Sequence, residues 1–387
     1  MRLPHHWRSA LVVSVCALLI SSGASRPSAQ NPVPTPRFAL RVPNPPTVVN
    51  GEGGAFLVYE LHVSNFVPQP WTLQKVEVLS GPLGPRVLWT VEERDLGLAI
   101  TRPGSAIPAD QRRVFAGGAW GVVMLWVPVD RGALPTSLWH RLTLAFDTGS
   151  GPAERELQGG EVAVRRESVT IGPPLRGGPW RAGNFSNTAP HRRAIFAYGG
   201  EATINARLAI DYTKLGEDNQ AFTGERTRNE NWHAYGQEVL AVADGLVVET
   251  RDGLADNTFS GPAPGGPNLE TLLGNHVFLE IAPRVYAGYA HLKPGSLRVK
   301  KGERVKRGAV IGLVGNTGNS GAPHLHFQLS EDPSIRSEGL AYKHDAFDVV
   351  GRCTGPTPAE QRCARVPAET HRGEIPVQGM MVQFRDR

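Results

Sequence analysis

Residues 295–329 combine closely spaced glycines with alternating apolar and basic residues, and this pattern sharply limits the folds open to the chain. The run reads GSLRVKKGERVKRGAVIGLVGNTGNSGAPHLHFQL. Alternation with a period of two is typical of half-buried strands, and glycines at short intervals are typical of tight turns. We therefore predict consecutive short strands in this part of the chain.

The run ends at two histidines that are separated by one residue. On a strand, His324 and His326 face one side of the sheet, while Leu325 and Phe327 face the other, apolar side. Two imidazoles on one rigid face suit metal binding or proton transfer, because histidine is a common metal ligand and titrates near neutral pH. A pair of ordinary surface histidines is the alternative, and the H-x-H spacing alone does not separate the two.

Three earlier segments extend the β pattern and add polar candidates. GQEVLAVADGLVVET (236–250) and GNHVFLEIAPRVYAGYAHL (274–292) each predict a pair of strands around a turn, and the second ends at His291. ARLAIDYT (206–213) predicts a strand that ends near Asp211. All the candidate site residues therefore lie in or beside predicted strands.

In order and spacing, these segments resemble the LytM/lysostaphin-type zinc metallopeptidases of the M23 family. The resemblance covers about residues 178 to 345. Such enzymes cut peptide cross-links of bacterial peptidoglycan, with a zinc ion held by His, Asp and His in a groove of a β-sheet. The resemblance implies Zn²⁺ as the cofactor, with Asp211 and His326 as metal ligands. It also implies that His291 and His324 handle the water proton and the transition state.

One position departs from the family pattern, in which a histidine four residues before the aspartate is the first ligand. Arg207 stands there in this chain. Arginine stays protonated and has no lone pair to donate to zinc. On a strand Arg207 shares a face with Asp211, so a salt bridge between the two is expected. Either the site is degenerate, or another residue supplies the third ligand.

The segment HRRAIFAYGGEATINARLAIDY (191–212) offers a candidate for that ligand. A hairpin centred near Gly199 pairs His191 with Arg207, and directly opposite residues have Cβ atoms about 5 Å apart. We therefore predict His191 as the third metal ligand. The alternative is a loop histidine that follows Pro190.

Two other histidines are weaker candidates. His233 lies in a polar insertion between Asp211 and the next predicted strand. His276 is expected on a strand, in contact with neither metal nor substrate.

The whole sequence of 387 residues divides into four predicted parts. Residues 1–30 are expected to be a secretory signal peptide, because basic residues precede an apolar run and small polar residues follow it. Residues 36–168 are β-rich with Pro, Gly and Asp turns, and predict an immunoglobulin-like β-sandwich. Residues 178–348 form the M23-like antiparallel sheet, and 349–387 a C-terminal extension without a clear fold. The predicted fold class is therefore mainly β.

The cysteine content and the net charge limit the cellular environment and the partners that are expected for the chain. Outside the predicted signal peptide only Cys353 and Cys363 occur, and an even pair in an exported chain favours a disulfide. The net charge of +5 is modest, and no aromatic-basic interleaving argues for nucleic acid. Beyond the predicted signal peptide, no stretch is apolar enough to predict stable membrane insertion.

These observations predict an exported zinc metalloendopeptidase, periplasmic or extracellular, that hydrolyses peptide bonds in peptidoglycan peptides. The metal site is expected to draw on nothing outside residues 178–348. The alternative is a catalytically degenerate M23-like module that binds the cell wall or regulates another wall hydrolase. The sequence leaves open the scissile bond, the role of the β-sandwich and the oligomeric state.

Overall fold

The described residues form mostly antiparallel β-sheets with little helix, which confirms the predicted mainly β class. The structure, a computed structural model, describes residues 35–52, 54–81, 86–104, 106–166, 168–198, 200–258, 269–355 and 362–385. The predicted signal peptide, residues 1–30, lies outside the described residues. None of the helices in the described ranges is long and apolar enough to cross a bilayer.

The N-terminal sheet pair consists of two five-stranded sheets with the orders β1-β3-β8-β6 and β10-β9-β4-β5, in which β2 joins β3 and β7 joins β4. Its elements are β1 (Phe38–Arg41), β2 (Thr47–Gly51), β3 (Gly54–Asn65), β4 (Trp71–Leu79), β5 (Val87–Glu92), helix α1 (Glu93–Ala99), β6 (Ile100–Thr101), β7 (Val114–Phe115), β8 (Trp120–Val129), β9 (Ser137–Asp147) and β10 (Pro152–Ala163).

Side chains of the two sheets meet in a buried layer. The hydroxyl of Tyr59 on β3 lies 2.9 Å from Nε2 of His140 on β9, and both side chains are buried. This contact gives each of the two buried polar atoms a hydrogen-bond partner, as buried polar groups require. The immunoglobulin-like character of this part, and the domain division itself, remain predictions.

The second part of the chain builds one eleven-stranded sheet, the central sheet, with the order β20-β17-β18-β19-β22-β15-β12-β27-β25-β26 and β23 beside β22. Three further strand pairs, β11-β24, β13-β14 and β16-β21, lie outside it. The elements are β11 (Val169–Ile171), β12 (Gly177–Gly183), helix α2 (Pro190–Arg193), β13 (Phe196–Tyr198), β14 (Glu201–Thr203), β15 (Ile210–Lys214), the 3-10 helix Asn229–Asn231, β16 (Glu238–Leu240), β17 (Gly245–Arg251), β18 (Asn275–Ala282), β19 (Val285–Leu292), β20 (Arg304–Val305), β21 (Val310–Leu313), β22 (Leu325–Ser330), β23 (Gly339–Leu340), β24 (Tyr342–His344), β25 (Phe347–Thr354), β26 (Arg362–His371) and β27 (Met380–Phe384).

The predicted C-terminal extension, residues 349–387, carries more regular structure than its sequence indicated. Strand β25 runs through the boundary at residue 348, and β27 inserts between β25 and β12 in the central sheet. Cys353 and Cys363 are joined by the predicted disulfide, opposite each other on β25 and β26.

The N-terminal sheet pair and the central sheet share apolar contacts. The ring of Trp126 on β8 lies 5.7 Å from that of Phe56 and 5.2 Å from that of Phe185, which follows β12. Val49 and Val58 belong to the same buried cluster as the core of the central sheet. Burial of this surface favours a close association of the two parts.

Candidate metal centre

Strand register brings Asp211 and His326 together in the middle of the central sheet. The two residues are direct partners in the antiparallel pair β15-β22, so their side chains lie on the same face. Oδ1 of Asp211 lies 3.0 Å from Nδ1 of His326. On the opposite face, Leu325 and Phe327 are fully buried, as the alternation of the sequence predicted.

His191 reaches the same place from outside the sheet. Its Nε2 lies 3.4 Å from Oδ2 of Asp211, and its ring centroid is 4.8 Å from that of His326. The predicted hairpin register is wrong, since β13 and β14 form a short pair in which Phe196 lies opposite Thr203 rather than Ala202. The prediction that His191 lies on a paired strand is wrong. Pro190 begins helix α2 instead, and a proline is well suited to the first turn of a helix.

The three side chains suit a single metal ion. One ligand atom from each of His191, Asp211 and His326 lies within 4.8 Å of the others. Two imidazole nitrogens and one carboxylate oxygen are typical donors to a catalytic zinc, whose bonds of about 2 Å set ligand atoms roughly 3 to 4 Å apart. The donor set therefore fits zinc, with a small contraction of the cluster.

Two neighbouring amides that were not predicted from the sequence orient this cluster. The side chain of Asn184 donates a hydrogen bond of 2.7 Å to Oδ2 of Asp211. Nε2 of His326 lies 2.9 Å from Oε1 of Gln328, and this contact leaves Nδ1 directed at Asp211. Such outer partners fix ligand orientation and tautomer. Asn184 has a φ of 59°, and the Gly-Asn pair after a strand was a usable sequence signal for that turn.

His291 and His324 lie beside the cluster and are held by main-chain carbonyls. Nδ1 of His291 lies 2.7 Å from the Thr317 oxygen, and Nδ1 of His324 lies 2.7 Å from the Ala322 oxygen. Nε2 of His324 is 3.5 Å from Oδ2 of Asp211. The ring centroids of His291 and His324 are 4.9 Å apart. His291 also has a φ of 62°, a rare backbone conformation that clusters at functional sites.

Burial sets the charge states of these groups. It lowers the pKa of His191 to about 4 and that of His291 well below its ordinary value. For His324, burial also acts to lower the pKa, but the carboxylate of Asp211 outweighs it and raises the pKa. Burial would raise the pKa of Asp211, yet His191 and His324 hold it well below its ordinary value. Asp211 is therefore ionised, and His191 presents a neutral ring with a lone pair.

Arg207 does not contact Asp211, so the predicted salt bridge is wrong. Its Nε lies 2.8 Å from Glu60 and its Nη2 lies 2.7 Å from Glu338. Strand β15 begins only at Ile210, so Arg207 lies in the preceding turn rather than on the face of Asp211. The arginine at the expected ligand position is thus engaged elsewhere.

Helix α2 is anchored on the N-terminal sheet pair through the residue after His191. Arg192 is buried, and its Nη1 lies 2.7 Å from Glu60 on β3. Its Nη2 donates to the main-chain oxygens of Tyr59 and Leu125, at 2.7 and 2.9 Å. The side chains of the site thus lie within residues 178–348, but the helix that carries His191 is held by contacts from outside that range.

The two weaker histidine candidates lie outside the cluster. Nε2 of His233 lies 3.4 Å from the hydroxyl of Thr223. His276 lies on β18, as predicted, with Nδ1 2.9 Å from the Gly274 oxygen and Nε2 3.3 Å from Glu249. Within the described ranges, the group of side chains able to hold a metal is His191, Asp211 and His326.

The sheet and its cluster define a β-sheet protein with a candidate metal site. Residues 231–337 match the model described as Peptidase family M23, which confirms the resemblance for that segment. The match includes His291, His324 and His326 but begins after Asp211 and His191.

Two curated relatives are similar over a limited length. The chain is 35% identical over 94 residues to the peptidoglycan DD-endopeptidase ShyA of Vibrio cholerae, which covers 24% of this chain and 17% of the relative. It is 58% identical over 94 residues to the glycyl-glycine endopeptidase ALE-1 of Staphylococcus capitis, which covers 24% and 21%. The match thus spans about a fifth of each relative's length.

Among solved structures, a zinc containing peptidase from Vibrio cholerae is 14% identical, with 80% of this chain and 85% of that chain covered. Its TM-score of 0.27 is too low to define a shared fold.

Proposed function

We propose that this chain is an exported zinc-dependent metalloendopeptidase that hydrolyses peptide bonds in bacterial peptidoglycan, in the periplasm or outside the cell. The observation that carries the proposal is the convergence of His191, Asp211 and His326, whose ligand atoms lie within 4.8 Å of one another. The match to Peptidase family M23 and the two named peptidoglycan and glycyl-glycine endopeptidases support the substrate class.

The proposed roles follow from the contacts of each side chain. His191, Asp211 and His326 would hold zinc, which when bound activates a water molecule and polarises the scissile carbonyl. Asn184 and Gln328 keep the ligand atoms of Asp211 and His326 aimed at the centre of the cluster.

His291 and His324 are proposed as the proton-handling pair. Each ring is oriented through Nδ1 by a main-chain carbonyl, so Nε2 is the atom available to the reacting groups. Between them, the two Nε2 atoms would accept the proton of the attacking water, return it to the leaving amine and hydrogen-bond the transition state.

The experiment compares two neighbouring substitutions on purified peptidoglycan. We expect His326→Ala to lose both bound zinc and release of soluble fragments, because it removes a ligand. His324→Ala should keep most of the zinc and lose at least a hundredfold in rate, because it removes proton transfer. Metal content is measured by mass spectrometry and fragments by chromatography. Full activity in both variants contradicts the proposal.

A second candidate is a catalytically degenerate module that binds the wall or regulates another hydrolase. The specific observation in its favour is Arg207 at the usual ligand position. It predicts binding to peptidoglycan with neither zinc nor fragment release. A stoichiometric zinc ion in the purified protein, removed by His191→Ala, would exclude it.

A further inference from the structure

Arg181 lies beside the candidate metal centre on the neighbouring strand. In the pair β12-β15, Gly183 is opposite Asp211 and Arg181 is opposite Thr213. Residues two apart on a strand share a face, so Arg181 and Asp211 point to the same side of the central sheet. The arginine is therefore part of the floor on which a substrate peptide would lie.

Gly183 leaves room for the guanidinium to lie close to the cluster. A Cβ atom on Gly183 would be 3.8 Å from Nη2 of Arg181 and 3.8 Å from Cβ of Asp211. The same Cβ atom would be 3.2 Å from the main-chain oxygen of Asp211, so the glycine lets the two strands and the guanidinium lie close together. A side chain at residue 183 would occupy that space.

The guanidinium has no anionic partner in the part of the chain that the structure describes. Its Nε is buried without a hydrogen-bond partner, and no carboxylate lies within ion-pair distance. The buried arginines Arg192 and Arg207, by contrast, both contact Glu60. A buried and unpaired charged donor is costly, and a guanidinium does not relieve the cost by losing its proton.

Asp211 does not fill this need. Its oxygens already contact Asn184, His191 and the two histidines of the H-x-H pair. Burial lowers the pKa of Arg181, and the nearby charge of Asp211 only partly opposes that shift. The Arg181 side chain is only partly buried, so the rest of its guanidinium, rather than the buried Nε, is the part that a bound substrate can reach.

We propose that Arg181 binds a free carboxylate of the peptide substrate, close to the scissile bond. The inference rests on the proposed function and adds to it a substrate requirement. A planar guanidinium pairs with a carboxylate through two parallel hydrogen bonds, which makes this residue type selective for that group. The rival anion is the oxyanion that develops during hydrolysis, and the experiment separates the two.

The probe is a set of soluble peptidoglycan fragments, used untreated and after their carboxylates have been converted to amides. Binding is measured by calorimetry and turnover by chromatography, with the zinc-loaded full chain, Arg181→Met and Arg181→Lys. Arg176→Met is the matched control, because Arg176 directly precedes β12 and pairs with Glu238 instead. Zinc content reports whether each variant keeps its metal centre.

For the parent and the control, we expect amidation to weaken binding and raise KM by about tenfold or more. For Arg181→Met, zinc content should be unchanged, and untreated and amidated fragments should bind equally weakly. Arg181→Lys should recover part of the preference for fragments with free carboxylates. Equal sensitivity to amidation in parent and Arg181→Met overturns the assignment. The assignment is also overturned if Arg181→Met lowers kcat equally for the untreated and the amidated fragments, because that result identifies the oxyanion as the partner of the guanidinium. Amidation-sensitive binding without cleavage would contradict the proposed hydrolysis and leave the carboxylate site standing.

Discussion

Oε1 of Glu60 lies 2.7 Å from Nη1 of Arg192, and this buried pair joins strand β3 to the helix that carries His191. The same carboxylate lies 2.8 Å from Nε of Arg207, which also contacts Glu338. Burial raises the pKa of Glu60, but Arg207 and Arg192 outweigh it and lower the pKa, so the carboxylate is ionised. One side chain of the N-terminal sheet pair therefore holds two residues that flank the candidate metal centre.

The first prediction removes the charge of Glu60. We expect Glu60→Gln to cost about 3 kcal/mol or more in free energy of unfolding, because two buried guanidinium groups lose their shared partner. Zinc affinity should fall about tenfold to a hundredfold, since His191 loses its anchor. Calorimetric zinc titration of the folded variant measures the second effect. In Glu77→Gln, which breaks the Arg141 pair within the N-terminal sheet pair, stability should fall and zinc affinity should not.

A second prediction concerns the isolated fragment of residues 178–348. Without β3 and β8, Arg192 loses Glu60 and both of its main-chain acceptors. The fragment should therefore bind zinc at least tenfold more weakly than the full chain. Zinc titration of both proteins, after circular dichroism has verified folding of the fragment, makes the comparison. Equal affinities would mean that helix α2 keeps its position without the sheet pair.

The third prediction tests the ligand role of His191. His191→Ala should lower zinc affinity by orders of magnitude, because two protein ligands remain. His233→Ala is the matched control, since that ring contacts Thr223 and not the cluster. Adding Arg207→His to His191→Ala should not restore affinity, because position 207 faces Glu60 and Glu338. Recovery of zinc binding in the double variant would contradict the geometry described here.

The fourth prediction concerns pH and two buried histidines that are not part of the candidate metal centre. Burial lowers the pKa of His140 and of His344 from 6.5 to about 4. Between these values the unfolded chain binds protons that the folded chain does not, so stability falls as the pH falls. Well inside this window each group contributes about 1.4 kcal/mol per pH unit.

Urea unfolding between pH 7 and pH 5.5, in the presence of a chelator, measures this dependence. His140→Gln should lower the stability at pH 7 and make its pH dependence shallower, because it removes one titrating group. A free energy of unfolding that does not change over this range would contradict the prediction.

Local pattern predicted the centre of the site because a strand imposes its own geometry. The alternation in HLHFQL placed His326 on one face and Leu325 and Phe327 on the other, where the structure has them, whereas His324 directly precedes β22. Asp211 and His326 come together because strands β15 and β22 are neighbours and pair with these two residues directly opposite each other.

His191 was predicted as a ligand from a hairpin that the structure does not have at that residue. The ion pairs of Arg207 were not predicted. The predicted hairpin assumed continuous strands from residue 191, but Pro190 starts a helix and the paired segment is three residues long. The partner of Arg207 is Glu60, 147 residues earlier in the chain. A buried ion pair at that separation leaves no local signal, because it depends on how two sheets pack. Strand β26 was missed because it is mostly exposed and lacks apolar alternation.

The place of β27 in the central sheet has a consequence for folding of the protein. Residues 380–384 pair with β12 between Gly177 and Arg181, so the strand beneath the candidate site gains its second neighbour only when a segment far later in the chain folds against it. Until then, a nascent chain carries β12 with one row of main-chain hydrogen-bonding groups unsatisfied, which is a surface prone to wrong pairing. The sheet beneath the candidate site is therefore complete only once residues 380–384 have paired with β12.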